Sequence, residues 1–279
     1  MISINDLTIS IDNKSILTNI NLQWGENTII GIVGLNGAGK TSIFKSILQL
    51  GFFKNKNISY SEGLKIKRDI GYLNESRGLF IKETVDHNLS YFSTLNHLNR
   101  DEAVATIDYW LTFFGILDLK NKKIFDLSKG NQQKIQFIAS ILGHKKYIIL
   151  DEPFSGVDPV NADIFLKAIK QLHDTGASIL YSSHQMEYVE ELANRVIMIK
   201  SGKIIHNSSL DKLKSHYVVY TGNISNLKDS FIKQNIKIIA DKEHIICDAK
   251  HSVNQADIAR STPTLSQIFK LVNGDTQNA

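Results

Sequence analysis

Three clusters of residues in this chain have the types and spacing needed for polyphosphate chemistry. The first is Gly34-Leu35-Asn36-Gly37-Ala38-Gly39-Lys40-Thr41, followed by Ser42. Its glycines permit a tight turn and let backbone N–H groups approach phosphate oxygens with no Cβ in the way. The turn opens onto a helix start, where the dipole adds to the attraction for an anion. Lys40 supplies a point charge toward the β- and γ-phosphates, the Thr41 hydroxyl can ligate Mg²⁺, and Ser42 offers a further hydroxyl. The second cluster is Asp151-Glu152, directly after the apolar run Tyr147-Ile148-Ile149-Leu150. Asp151 can hold Mg²⁺ directly or through water, and Glu152 can orient or deprotonate an attacking water. The third is Ser128-Lys129-Gly130-Asn131, where Ser128 is a good N-cap and Gly130 keeps the backbone bare at a helix start.

These groups need a scaffold that brings them together. The run Thr28 to Val33 reads as a buried strand, and Ser42 to Leu50 as a helix with Ile43, Phe44, Ile47 and Leu48 on one face. From residue 147 onward strand and helix alternate: Tyr147–Leu150, a helix from Pro159 to about His173, Ser178–Ser182, a helix near Met186 to Asn194, then Val196–Lys200. That alternation predicts an α/β fold with a parallel sheet and helical crossovers, whose ligands sit at the carboxyl ends of the strands. Residues 2–11 and 16–24 alternate apolar and polar, as half-buried antiparallel strands do, and 57–74 read as short strands. Residues 83–143 read as a helical insertion with Tyr109, Trp110, Phe113 and Phe114 in its core. Ile135, Ile138, Ile141 and Leu142 follow the helix period after Ser128. Beyond Ile204 a small α+β unit is expected, with strands at 217–221 and 236–240 and helices near 226–233 and 264–272.

Composition narrows the field. Of 279 residues 42% are hydrophobic, and the net charge is +4 with no long basic run, so no nucleic-acid partner is expected. Cys247 is the single cysteine, which rules out an intramolecular disulfide and suits a reducing cytoplasm. Met1–Asp6 lacks the charged and apolar regions of a signal peptide. No apolar run approaches the roughly 20 residues of a membrane span, so another chain would have to cross any membrane this protein serves.

Leu127-Ser128-Lys129-Gly130-Asn131-Gln132-Gln133 resembles the signature sequence of ATP-binding cassette (ABC) ATPases, usually Leu-Ser-Gly-Gly-Gln. The order of motifs resembles that family too: phosphate loop, signature, Asp-Glu strand, Ser155-Gly156-Val157-Asp158, then Ser183-His184. The resemblance implies a P-loop NTPase with a RecA-like parallel core, an N-terminal antiparallel β subdomain and an inserted helical subdomain at about 76–143. These make an ATPase domain at 1–204, with a small accessory domain at 205–279. It implies ATP and Mg²⁺ as cofactors, with Gly34 to Ser42 contacting nucleotide. It also implies a head-to-tail homodimer or cassette pair, in which Ser128, Gly130 and Asp158 act across the interface. Glu152 and His184 become catalytic, His184 contacting the γ-phosphate and the water. Segment Gly71 to Phe80 resembles cassettes that serve exporter-type membrane subunits, which places the protein peripherally on the inner face of the cell membrane beside a separate permease. A soluble ABC switch acting on ribosomes or DNA is the alternative.

Three departures from the family pattern carry consequences. Glu75 stands where a Gln usually contacts Mg²⁺ and the water, so it is assigned to metal binding and catalysis, at the cost of extra negative charge beside the phosphates. Ile11 aligns with the aromatic residue that stacks on adenine, which leaves GTP use open. Lys129 replaces a signature glycine.

Overall fold

The computed structural model describes residues 1–76, 78–222, 224–234, 236–240, 244–251 and 258–274. Arg77, within the Gly71 to Phe80 segment, and the last residues of the expected accessory domain, 275–279, lie outside them. The chain opens with a hairpin of β1 (Ile2–Ile11) and β2 (Lys14–Trp24). Its turn is made by Asp12 and Asn13 at φ 49° and 61°, the paired positive values of a tight two-residue hairpin. Next come β3 (Ile29–Val33), α1 (Lys40–Ile47), β4 (Ile58–Tyr60), the single helical turn α2 (Ile66–Asp69) and β5 (Ile70–Leu73). A helical block comes after it, made of α3 (Val85–Leu95), α4 (Arg100–Phe113) and α5 (Lys129–Ile141). The alternating stretch consists of β6 (Tyr147–Leu150), α6 (Pro159–Asp174), β7 (Ser178–Ser182), α7 (Met186–Leu192) and β8 (Arg195–Lys200). The remainder is β9 (Lys203–Ser209), α8 (Leu210–Ser215), β10 (Tyr217–Gly222), α9 (Ser225–Lys233), β11 (Ile238–Ala240), β12 (His244–Asp248), β13 (Ile258–Ser261) and α10 (Leu265–Asn273).

Among the described residues the strands form three sheets. The central one has the order β5-β6-β7-β3-β8-β9, parallel except for β9, which returns antiparallel along β8. The β2-β1-β4 sheet is antiparallel, as is β11-β12-β10-β13. The central strands read as unbroken apolar runs because both of their faces are covered. Ile30, Ile32, Tyr147, Ile149, Leu180 and Ile197 pack with Ile43, Phe44 and Ile47 of α1 and with the N-terminal sheet. Val33, Ile148, Leu150, Ile179, Tyr181 and Val196 face Ile135, Ile138, Phe165, Ile169 and Val189 on the helical side.

Two sequence expectations need correction. Tyr109 is not core: it is 50% exposed and accepts a hydrogen bond on its hydroxyl from Gln171. On α4 it sits at the edge of the stripe whose centre is Trp110 and Phe114, both buried. The expected boundary at 204 falls inside β9, which completes the edge of the central sheet. The C-terminal part also returns to that core. Leu213, Leu265 and Ile268 are fully buried in the same cluster as Val189 and Leu192 of α7. Glu190 of α7 accepts from the backbone N–H of Leu265 and pairs with Lys214 of α8 at 3.0 Å.

Candidate nucleotide site

The loop between β3 and α1 sits at the carboxyl edge of the central sheet, where β3, β6 and β7 end side by side. Gly39 is the N-cap of α1, at φ 113°; a Cβ there would stand 2.8 Å from Leu17 Cδ2. Both the left-handed backbone and the close approach of β2 therefore demand glycine. The loop folds back on its own lysine. Lys40 Nζ donates to the Gly34 carbonyl at 2.8 Å and lies 3.6 Å from Glu152 Oε1, with Lys40 and Glu152 both buried.

Asp151 and Glu152 arrive at this point because β6 lies two strands away from β3 and carries them past its last paired residue. Asp151 accepts from the Thr41 hydroxyl on Oδ2 and from the Ser182 hydroxyl on Oδ1, each at 2.7 Å. Burial pushes its carboxyl above the usual range despite those two hydrogen bonds, since desolvation penalises the charged form. The Glu152 backbone N–H donates to Ser182 Oγ at 2.8 Å. Glu152 itself holds φ 50°, a left-handed conformation that costs a non-glycine residue roughly 1–3 kcal/mol and concentrates at functional sites. Its Oε2 lies 2.8 Å from His184 Nδ1 and also accepts the His184 backbone N–H at 3.3 Å.

A cleft of about 790 Å³ opens over this group, lined by Asn36 to Ser42, Glu75, Asp151 and Glu152 together with Lys14, Ser15, Ile16, Ser201 and Gly202, the last hydrogen-bonded through its N–H to the Ala38 carbonyl at 2.9 Å. Of the phosphate-loop residues, Gly34 and Leu35 fall outside the wall; their carbonyls hold Lys40 and Ala38 instead. His184 touches Glu152 without lining the cleft. Ile11, the residue aligned with the base-stacking position, is likewise absent from the wall; Ile16, just past the hairpin turn, occupies it. Ser128, Gly130 and Asp158 do not line it either. Ser128 caps α5 through the Asn131 N–H at 3.3 Å. Asp158 caps α6 through the Asn161 N–H at 3.0 Å, with Pro159 at the first helical position.

The donor set suits Mg²⁺. That ion binds through one or two carboxylates and substrate phosphates rather than in an all-protein cage. Asp151 offers one carboxylate, already in contact with the Thr41 hydroxyl, and Glu75 on the same wall offers a second. Among the described residues there is no cluster of three or more His, Cys, Asp or Glu that could hold a metal unaided. Sequence reasoning missed Ser182, the hydroxyl that joins Asp151 to Glu152. Its signal was a serine ending a buried strand next to Ser183-His184.

Residues 17–155 match the ABC transporter family. The chain is 39% identical to the uncharacterized ABC transporter ATP-binding protein YhaQ of Bacillus subtilis, over 87% of this chain and 78% of the relative. It is 38% identical to the uncharacterized ABC transporter ATP-binding protein MJ1023 of Methanocaldococcus jannaschii, over 80% and 83%. The chain belongs to the ABC transporter ATP-binding proteins. Its fold matches the ATP-binding cassette MJ0796, solved as a dimer in a post-hydrolysis state with ADP and Pi, at TM-score 0.67 and 18% identity over 75% of this chain and 99% of that one. This cassette is an ATPase that works with ATP and Mg²⁺. Bound Mg²⁺ supplies charge neutralisation to the phosphates, so the protein's own share of the work is positioning and proton handling.

Proposed function

We propose that this cassette powers a membrane exporter by closing head to tail on a second copy around ATP, from the inner face of the membrane. One observation carries the reading. The cleft is walled by the phosphate loop and the two carboxylates, while the capped N-terminus of α5 at Ser128 and Gly130 stands outside it. A helix N-terminus with bare backbone donors is suited to a γ-phosphate, and in this arrangement that phosphate belongs to the partner's nucleotide. Asp158, at the start of α6, takes its place at the same interface.

In the closed pair Lys40 exchanges its contact with Gly34 for the β- and γ-phosphates. Thr41 and Asp151 hold Mg²⁺ with Glu75 beside them. Glu152 takes the water's proton, and His184, hydrogen-bonded to Glu152, steadies the carboxylate and reaches the γ-phosphate. Loss of the γ-phosphate then removes the contacts that favour closure.

Exposed apolar side chains on and after the segment that carries Phe80 support a transmembrane partner over a soluble switch. Phe80 is 46% exposed and Tyr91 42%; their rings meet edge to face at 5.1 Å, and Ile81 and Leu95 are also exposed. Such a patch marks an interaction surface. Among the described residues no helix is long and apolar enough to cross a membrane, so the span is assigned to a separate permease. The residues after β9 form an accessory unit in this reading.

Engineered cysteines test the closed pair. Asn36→Cys and Ser128→Cys in opposite copies are expected to crosslink only with ATP, Mg²⁺ and the Glu152→Gln variant; no crosslink under those conditions sinks the head-to-tail arrangement. Cys247 is buried and adds little background.

A further inference from the structure

Glu75 hangs on a short segment just beyond β5, exposed on the cleft wall. The grip on that segment comes from α5. Gln136 Nε2 donates to the Asn74 carbonyl at 2.8 Å and to the Ser76 carbonyl at 3.1 Å. The two hydrogens of one amide nitrogen thus hold the residues on either side of Glu75. The orientation of the amide is dictated, because its flipped form would set an oxygen against two carbonyl oxygens. Gln136 is buried, and among the described residues its Oε1 has no hydrogen-bond partner. Leaving a buried acceptor unmade is costly, a cost set against the two donor bonds to the 74–76 backbone.

We propose that Gln136 is a positioning residue for Glu75, fixing the backbone at 74–76 so that the carboxylate is held at the Thr41–Asp151 pair. The inference rests on the assignment of Glu75 to Mg²⁺. Gln136 touches neither nucleotide nor metal. Two further contacts restrict the same strip: Asn74 Nδ2 donates to Ser76 Oγ at 2.6 Å, and the Tyr72 hydroxyl donates to Asn74 Oδ1 at 3.2 Å. Of these contacts, only those of Gln136 tie the strip to another element. The neighbouring glutamine, Gln133, makes a parallel tie, donating to the Pro153 carbonyl beyond Glu152 at 3.3 Å. α5 therefore reaches the flank of both Glu75 and Glu152 in the cleft.

The test compares full-length protein with Gln136→Met, Glu75→Ala and the double variant. Methionine keeps the reach of glutamine and removes both donors. Hydrogen–deuterium exchange is read over peptides spanning 72–80 and 129–141, and Mn²⁺ affinity in the presence of ATP is read by electron paramagnetic resonance. Gln136→Met is expected to speed exchange at 72–80 with little change in α5. It is also expected to weaken Mn²⁺ binding by about tenfold, the scale seen when a group supporting a metal ligand is removed. In the Glu75→Ala background it should weaken Mn²⁺ no further. A tenfold loss that persists there, or unchanged exchange at 72–80, overturns the positioning role. Unchanged Mn²⁺ affinity in Glu75→Ala alone overturns the metal assignment of Glu75, and the positioning role with it. Unchanged affinity in Gln136→Met beside a loss in Glu75→Ala overturns the positioning role only.

Discussion

Asp151 is held in an environment that disfavours its own charge. Its carboxyl is raised by burial, so ionising it costs folding free energy at pH values above the ordinary carboxylate range, near 4. A raised acid gives its full contribution below the unfolded pKa and loses it as pH climbs through the folded one. Asp151→Asn is therefore expected to raise Tm in metal-free buffer at pH 8, with the gain shrinking toward pH 4, while ATP hydrolysis falls by orders of magnitude. Thermal melts across pH with chelator present would decide it; a lower Tm at pH 8 contradicts the account. If Glu152 is the base as proposed, Glu152→Gln keeps the shape and removes the proton acceptor, and turnover should drop by about 10²- to 10⁴-fold with ATP affinity retained. Lys40→Ala should weaken ATP binding in a titration; unchanged affinity contradicts the loop assignment. The candidate residues legible in the sequence are those whose partners are local or whose types are costly to bury. Gly39-Lys40-Thr41 and Asp151-Glu152 announce themselves in that way. Ser182, Ile16 and Gln136 were silent, since each reaches its place only through folding, and a serine, an isoleucine or a glutamine is ordinary on its own strand or helix.

At the level of elements, strands covered on both faces and helices with clear caps were legible within a residue or two, as β6, β7 and α6 show. α5 shows why helix packing was not. Its seat is β5, where a Cβ on Gly71 would stand 2.4 Å from the Ser140 carbonyl oxygen, a contact that backbone cannot relieve by rotating away. Gly71→Ala should therefore push α5 off the sheet. The expected destabilisation is about 1–3 kcal/mol, the usual cost of overpacking, and the strip that Gln136 grips should loosen with it. Chemical denaturation reports the first effect; a variant as stable as the parent would mean that α5 is not so tightly seated. The sequence shows a glycine in a strand and nothing of what crosses it. The same blindness hid β9: its partly buried, alternating residues read as the start of a new unit rather than as the last strand of an old sheet.

For the whole molecule, the exposed Phe80–Tyr91 pair lies outside the lining of the phosphate cleft, so docking and hydrolysis are expected to be separable by mutation. Phe80→Asp is expected to reduce co-purification with membranes several-fold while ATP binding to the isolated chain stays the same. Membrane retention unaffected by that charge would move the partner elsewhere. The placing of Leu213, Leu265 and Ile268 against α7 has a consequence for anyone shortening this chain. The stretch beyond β9 is a rind on the catalytic fruit rather than a pendant: cutting at Ser209 strips cover from Val189 and Leu192, a few residues past His184. A truncation meant to liberate a minimal enzyme would instead yield a sticky, poorly soluble remnant.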